Sequence, residues 1–331
     1  MTARIVPWIL ALSVLAPACS NQDDDDRNDD PNDPAPSSWL VGERGEMLQL
    51  RADDDAVSTY PLDHAGDLQA IACTGVATPR VAGDDRTVLV SRDAGQQWTR
   101  VQLGSDADLR SVAVAEAQPE GQETVWLAGY DGAVFRTDDG GRRFSAVRGP
   151  AVDWTAVATN EHGDAALLTA LDGSVWRSDG GSPLVEVLAA DGAALYDIAM
   201  SHHGDTIVAV GEAGRVLRSD DSGESFTALD PATELDLHAV QLTSHGDAII
   251  AVGEAGVVLR IDEQGARVEL TLDPDDTLFD LHLRSDGLGQ AVGTRGIVLL
   301  TDDGGQRWRQ VSTGRTAHLR GVDDFHAVPH L

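Results

Sequence analysis

The chain has 331 residues, of which 24 are basic and 55 acidic, so its formal net charge is −31 at pH 7. Every basic residue is an arginine and the arginines are scattered, which argues against a nucleic-acid partner and against attraction to an anionic membrane surface. With 42% apolar residues and 34 glycines, the composition predicts a well-formed core connected by many tight turns, and therefore an all-β chain.

The cysteine content limits the kinds of site that the chain can build. The two cysteines, Cys19 and Cys73, are too few for a disulfide framework or a four-cysteine zinc site. Cys73 lies in a short apolar segment and is expected to be a small buried residue. We predict neither a metal nor a cofactor.

The first 19 residues have the pattern of a secretory signal, with a single cation at Arg4, an apolar run over residues 5–16 and then small residues. The run is shorter than the roughly 20 residues needed to cross a bilayer. Its end, LAPAC, resembles the bacterial lipobox, although Ala16 stands where leucine is usual. The resemblance implies a signal peptide over residues 1–18, lipidation of Cys19 and export across the inner membrane. The alternative is an ordinary cleaved signal with an incidental Cys19.

The next segment, residues 19–38, has the composition of a disordered acidic tether. It holds seven aspartates, one arginine and almost no apolar residue, so it is expected to remain extended and to hold a folded domain away from the lipid. A calcium site on Asp23 to Asp26 is the alternative, but no loop spacing that would converge oxygen ligands is present. Ser20, which is not aspartate, favours the outer membrane by resemblance to bacterial sorting signals, with the protein facing the periplasm or the surface.

An internal repeat dominates residues 39–331. Two copies are nearly identical, AVGEAGRVLRSDDSGESF from Ala209 and AVGEAGVVLRIDEQGARV from Ala251, and related copies lie between 40 and 46 residues apart. A second marker of the form Leu-x-x-Val recurs in phase with the first. It begins seven times, at Leu68, Leu109, Trp154, Leu195, Leu237, Leu278 and Leu319.

Each repeat therefore holds about four short strands, which is the content of one propeller blade. Seven copies predict a seven-bladed β-propeller. The folded part begins at Trp39 with the second strand of a repeat and ends near Leu319 with the first strand, the Leu-x-x-Val marker. Neither end therefore contains a complete blade. We predict that the two ends share one blade and close the ring.

The turn between the third and fourth strands carries its own pattern, Ser/Thr-x-Asp-x-Gly-x-x-aromatic. The carboxylate is expected to accept hydrogen bonds from turn amides and the aromatic to pack back over the hairpin, which makes the turn a stabilising device. Four copies are complete, with the pairs Asp93 and Trp98, Asp139 and Phe144, Asp221 and Phe226, and Asp303 and Trp308.

This turn resembles the Asp-box, or bacterial neuraminidase repeat, and the unit VGxxGxVLRTDDGGxxW resembles the photosystem II stability and assembly factor family. The resemblance covers nearly all of residues 39–325. It implies a seven-bladed propeller that holds an immature membrane protein through arginines on one face. The propeller of this chain is strongly acidic, because removing the six net negative charges of the tether and the Arg4 cation from −31 leaves −26.

Motifs for catalysis are missing from the sequence. There is no nucleophile elbow, no zincin helix and no phosphate loop, so we predict a non-enzymatic protein. The alternative is a carbohydrate-binding or sialidase-like propeller, which would need an arginine triad and a tyrosine nucleophile paired with a carboxylate. Tyr60, Tyr130 and Tyr196 are the only tyrosines, and each is expected to pack in the core or rim.

The tripeptide His-Gly-Asp recurs at His162, His203 and His245. Each copy lies between the first and second strands of a different blade. We therefore expect the three histidines to lie apart around the ring, in turns rather than in a metal site.

The candidate partner surface is the hairpin between the second and third strands. In a propeller this hairpin shares a face with the connections between blades, and its residues vary inside a constant frame. Arg44, Tyr130 and Arg295 are the partner-binding candidates, with the two arginines on neighbouring blades and adjacent; the alternative is a charged rim that is only solvated. We expect a monomeric envelope lipoprotein that acts as a protein-binding or assembly scaffold, with an unidentified protein partner and with membrane contact through its lipid.

Overall fold

The structure is a computed structural model and describes residues 37–51, 55–62, 64–73, 78–104, 106–115, 122–243 and 246–325. The signal segment, Cys19 and the acidic tether lie outside the described residues. Within the described ranges, no helix has both the length and the apolar character needed to span a bilayer.

The described chain forms seven four-stranded antiparallel sheets, which confirms the all-β, seven-bladed propeller. The strands of blades 1 to 3 are β4 (Leu68–Ala72), β5 (Arg80–Gly83), β6 (Thr87–Ser91), β7 (Trp98–Arg100); β8 (Leu109–Val114), β9 (Val125–Gly129), β10 (Val134–Thr137), β11 (Ser145–Ala146); β12 (Trp154–Thr159), β13 (Ala165–Ala170), β14 (Val175–Asp179) and β15 (Val185–Leu188).

Blades 4 to 6 follow in the same order along the chain. Their strands are β16 (Leu195–Met200), β17 (Ile207–Gly211), β18 (Val216–Ser219), β19 (Thr227–Leu229); β20 (Leu237–Leu242), β21 (Ile249–Gly253), β22 (Val258–Asp262), β23 (Gly265–Leu270); β24 (Leu278–Leu283), β25 (Gly289–Gly293), β26 (Ile297–Thr301) and β27 (Arg309–Ser312). Short 3₁₀ turns occupy Glu43–Gly45, Glu212–Gly214 and Thr294–Gly296.

Blade 7 is shared between the two ends of the chain, as predicted. Strand β28 (Leu319–Phe325) pairs antiparallel with β1 (Ser37–Gly42), which continues into β2 (Met47–Arg51) and β3 (Val57–Thr59). Strand β1 begins at Ser37, two residues before the predicted start, because Ser37 and Ser38 pair with strands on both sides.

The apolar core lies between blades rather than at the centre of the ring. Seven clusters of buried side chains each combine residues from two neighbouring blades. One cluster joins Leu40 and Leu48 of blade 7 to Val292 and Val298 of blade 6. Cys73 lies in another and is buried, as expected.

The aromatics of the repeated turns contribute to this packing in a way the sequence did not predict. Trp98 packs edge-on against Trp39 of blade 7, with ring centroids 6.1 Å apart, so it reaches a neighbouring blade instead of only covering its own hairpin. The turn glycine Gly95 faces the same indole, and an added Cβ would lie 2.4 Å from Trp39 Cζ2. The turn therefore docks one blade onto the preceding one.

Candidate functional site

The inner strands of the seven blades surround a central channel of about 1180 Å³. Each inner strand begins with a fully buried apolar residue and carries a β-bulge at the residue after it, so that this second residue has no partner in the ladder. Bulges of this kind redirect a side chain. The seven bulged residues all line the channel and are half-buried; we call them the channel ring, and they are Gln69, Arg110, Thr155, Tyr196, His238, Phe279 and Arg320.

The channel ring divides into two chemical halves. Tyr196, His238 and Phe279 occupy consecutive blades and form an aromatic arc, with ring centroids 5.1 Å and 6.0 Å apart. Arg320 and Arg110 lie on the other side, in blades 7 and 2, with one blade between them. The ring therefore offers a planar apolar surface beside two cations, in a protein whose net charge is −31.

Both arginines are held against an aromatic ring. The guanidinium carbon of Arg320 lies 4.2 Å from the centroid of Phe279, while Nη2 donates a 3.0 Å hydrogen bond to Glu43 Oε1. The guanidinium carbon of Arg110 lies 4.6 Å from the centroid of Tyr130. Arg110 Nη1 also lies 4.0 Å from Asp84 Oδ1, so each arginine has one acidic neighbour. Stacking fixes the direction of each guanidinium, whose five N–H donors exceed what one carboxylate accepts.

The three residues predicted to bind a partner have different surroundings in the structure. Tyr130 lines the channel and stacks on Arg110, so it lies beside the channel ring. Arg295 forms an ion pair with Asp276 of its own blade, outside the channel lining. Arg44 is exposed at the tip of the hairpin of blade 7, next to blade 6, which carries Arg295. The structure thus places the two arginines on neighbouring blades of one face but away from the channel ring.

This face, the hairpin face, is rigidly built. In every blade the first hairpin residue donates its backbone N–H to a carbonyl of the connection that precedes the inner strand, as from Tyr130 to Asp108 O at 3.0 Å and from Glu254 to Asp236 O at 2.9 Å. The residue before the hairpin is a glycine because there is no room for a side chain: a Cβ on Gly253 would lie 1.9 Å from the carbonyl oxygen of Asp236. The hairpins and connections are therefore locked together around the channel mouth.

The aromatic arc is uncharged at neutral pH. Burial, followed by the charge of Asp236, raises the pKa of Tyr196 to about 12, and its Oη donates a 3.2 Å hydrogen bond to Asp236 Oδ2. Burial lowers the pKa of His238 below its ordinary value. A phenol with a raised pKa stays protonated, which is the opposite of what a tyrosine nucleophile needs.

Deeper in the channel two carboxyl groups act as clamps between blades. Asp197 accepts the backbone N–H of Val240 at 2.8 Å, and Asp280 accepts that of Val322 at 2.9 Å. Burial raises the pKa of Asp197 to about 7 and that of Asp280 to about 8. Each carboxyl thus joins its inner strand to the inner strand of the next blade.

The four repeated turns form one hydrogen-bond pattern, with the carboxylate inside the turn. In the first, Ser91 Oγ donates to Asp93 Oδ1 at 2.9 Å and accepts the N–H of Gly95 at 2.8 Å. Hydrogen bonds from the hydroxyls of Ser225 and Ser219 hold the pKa of Asp221 down at about 2. Asp139 and Asp303 accept backbone N–H groups in the same way. Phe144, Phe226 and Trp308 pack against the clusters between blades.

His162 and His203 of the His-Gly-Asp copies lie at the opposite mouth of the channel, and the prediction that the histidines lie apart is wrong for these two. We expected the histidines of the His-Gly-Asp copies to lie apart, but His162 and His203 both contact the carboxylate of Glu161, at 3.4 Å and 3.2 Å. The reason is that loops between first and second strands of adjacent blades are neighbours at this end of the channel. Glu161, His202 and His203 place their ligand atoms within 4.8 Å of one another and could hold a metal ion. His245 of the third copy lies outside the described residues.

Comparisons with known proteins identify the fold alone. No protein-family model matches the chain, and no curated protein matches it. Among solved structures, YCF48 bound to a D1 peptide matches with a TM-score of 0.61 at 16% identity, covering 90% of this chain and all of that one. YCF48 from Cyanidioschyzon merolae matches with a TM-score of 0.65 at 17% identity, covering 88% of this chain and 97% of that one.

Proposed function

We propose that the protein is a non-enzymatic scaffold that binds an extended segment of another protein at the hairpin-face mouth of its channel. The observation that carries this proposal is the channel ring, in which seven bulges turn seven variable side chains toward one opening while the buried residue before each stays apolar. A fixed frame with a variable ring is the arrangement expected of a recognition surface.

The chemistry of the ring specifies the segment. Arg110 and Arg320 offer charge-assisted hydrogen bonds to a carboxylate, and the arc of Tyr196, His238 and Phe279 offers a surface for an apolar or aromatic side chain. The segment therefore carries a carboxylate, from a side chain or from a chain end, next to apolar residues. The similar structure of YCF48 with a D1 peptide supports a peptide as the kind of ligand that this fold can take.

A charge-reversal experiment tests the proposal. The double variant Arg110→Glu, Arg320→Glu turns two cations at the channel mouth into anions, whereas Arg143→Glu makes the same change on an exposed turn outside the channel lining. Tagged proteins are incubated with envelope extracts and the captured proteins are quantified by mass spectrometry. The proposal predicts that a specific partner is captured by the parent and by Arg143→Glu and is lost from the double variant. Equal capture by all three proteins contradicts it.

We also propose that the propeller is a monomer held at the envelope by a lipid on Cys19, with residues 20–38 as its spacer. The LAPAC sequence and the acidic composition support this location. Cys19→Ala should leave an uncleaved precursor or release the protein in soluble form, which cell fractionation and the mass of the mature chain will show. Unchanged membrane retention after correct cleavage contradicts the lipid anchor.

A carbohydrate-active channel is the second candidate, favoured by one observation. Tyr196 and Phe279 line the same channel as the carboxyl groups of Asp197 and Asp280. Both carboxyls are engaged by backbone N–H groups, so they serve the contact between blades before any substrate binds. Release of fluorophore from a panel of umbelliferyl glycosides, abolished by Asp197→Asn or Asp280→Asn, would establish this alternative and overturn the non-enzymatic assignment.

A further inference from the structure

A cluster of three imidazoles around one carboxylate lies at the end of the channel opposite the hairpin face. Glu161 and His162 belong to the loop between β12 and β13 of blade 3, and His202 and His203 belong to the matching loop of blade 4. The carboxylate lies at the centre, with Glu161 Oε2 at 2.9 Å from His202 Nδ1 and Glu161 Oε1 at 3.2 Å from His203 Nδ1. Nε2 of His162 lies 3.4 Å from Oε1.

The backbone holds the two loops together independently of these side chains. The N–H of Glu161 donates to the carbonyl of His202 at 3.2 Å, which joins blade 3 to blade 4. Each loop is a tight turn closed by a glycine at positive φ, Gly163 and Gly204, with backbone hydrogen bonds of 3.0 Å and 2.8 Å. The donor atoms are therefore carried by short, closed turns.

The spacing of the donor atoms is close to that of a zinc site. Zinc bonds of 2.0–2.1 Å in tetrahedral geometry place neighbouring donor atoms roughly 3.3 Å apart. His202 Nδ1 and His203 Nδ1 lie 2.9 Å and 3.2 Å from different oxygens of Glu161. With one ligand atom taken from each of the three residues, all three atoms lie within 4.8 Å of one another, so side-chain rotation must bring them closer to complete a zinc site.

The donor set also suits the metal. Imidazole nitrogen and carboxylate oxygen are both preferred zinc ligands, and the cluster supplies both kinds. Glu161 is largely buried, with 16% of its side chain exposed, whereas the histidines are open to solvent at 57% for His202 and 78% for His203. A net charge of −31 draws divalent cations to the protein.

We propose that Glu161, His202 and His203 bind Zn²⁺, with His162, whose Nε2 lies 3.4 Å from Glu161 Oε1, as the candidate fourth ligand. The ion links the loop between β12 and β13 of blade 3 to the loop between β16 and β17 of blade 4, at the end of the channel opposite the channel ring. The site is independent of the peptide-binding proposal, because it uses none of the ring residues.

Isothermal titration of the full chain with zinc chloride tests the site. The parent should bind one equivalent of zinc. Binding should be lost, or weakened at least tenfold, in the histidine double variant His202→Asn, His203→Asn and in the single variant Glu161→Gln. The control is His318→Asn, which removes a histidine on the opposite, hairpin face, where it lies beside Glu43, and this variant should bind zinc as the parent does. Circular dichroism shows whether each variant is folded without metal. If the histidine double variant is not folded, the single variant Glu161→Gln replaces it in the comparison.

Thermal melting gives a second measurement. Free zinc at 100 times its dissociation constant should raise the Tm of the parent by about 4 °C and leave that of the double variant unchanged. Equal zinc affinity in parent and double variant, or no zinc binding by the parent below about 100 μM, overturns the site.

Discussion

The shared blade makes the C-terminal strand essential to stability, and deleting residues 317–331 tests this. The deletion removes β28, whose ladder with β1 runs from Gly42↔Leu319 to Ser37↔Phe325. It also removes the buried side chains of Leu319 and Val322, which are 0% and 3% exposed.

The cost can be worked from these contacts. Burying one such side chain contributes ~1.5–3 kcal/mol, so the two together contribute ~3–6 kcal/mol. The deletion further leaves β1 as an open edge and removes the carboxylate of Asp323 that accepts the N–H of Cys73 at 2.6 Å. Because a domain has a free energy of unfolding of only about 5–15 kcal/mol, the truncated chain should aggregate or unfold without cooperativity.

Differential scanning calorimetry compares this variant with one that lacks residues 21–36 of the acidic tether. The tether deletion should melt within about 2 °C of the parent, because it leaves the interface of β1 with β28 intact. If both variants melt like the parent, the two ends of the chain do not stabilise a common blade.

Three further predictions concern single side chains. Because folding raises the pKa of Asp280 from 3.8 to about 8, the folded state keeps a proton that the unfolded chain loses above pH 4, and the free energy of unfolding of the parent should fall as the pH rises from about 4 to about 8. Asp280→Asn should reduce the dependence of Tm on pH over that range. A slope equal to that of the parent would disprove the raised pKa of Asp280. Gly253→Ala forces a Cβ against a carbonyl oxygen and should cost ~1–3 kcal/mol in urea unfolding, whereas Gly104→Ala, where nothing lies within 4 Å, should change stability by under ~0.5 kcal/mol; equal effects would refute the steric argument. Ser91→Ala leaves a buried N–H without its acceptor and should cost ~1–3 kcal/mol, against a change under ~0.5 kcal/mol for the exposed Ser145→Ala, and a neutral Ser91→Ala would show that the turn does not depend on this hydroxyl.

The fold follows from the sequence to a large extent because the repeat carries it. The period, the four strands in each copy and the order of the two markers together predict seven blades and a shared closing blade, and the pairing of β28 with β1 confirms that closure. Packing between blades is less accessible from sequence, because the partner of Trp98 is Trp39, a residue of another repeat.

The candidate site was only partly predictable. The hairpin tips attracted attention because they vary, and Tyr130 does lie at the channel. The second residue of each Leu-x-x-Val marker varies as strongly, from Gln69 to Arg320, but alternation alone assigns it to one side of a strand. The bulge that turns all seven toward the channel depends on register with the second strand, which becomes visible in three dimensions.

Site-specific photocrosslinking shows whether a partner protein enters the mouth of the channel. A benzophenone amino acid is introduced in place of Thr155, which lies in the channel ring. The control has the same amino acid in place of Glu186, which is exposed on β15, the outer strand of the same blade. After irradiation in cells, we expect a discrete adduct from position 155, none from position 186, and loss of the adduct when Arg110 and Arg320 are both changed to glutamate. No adduct at position 155, or the same adducts from both positions, would contradict the binding of a partner at the channel mouth.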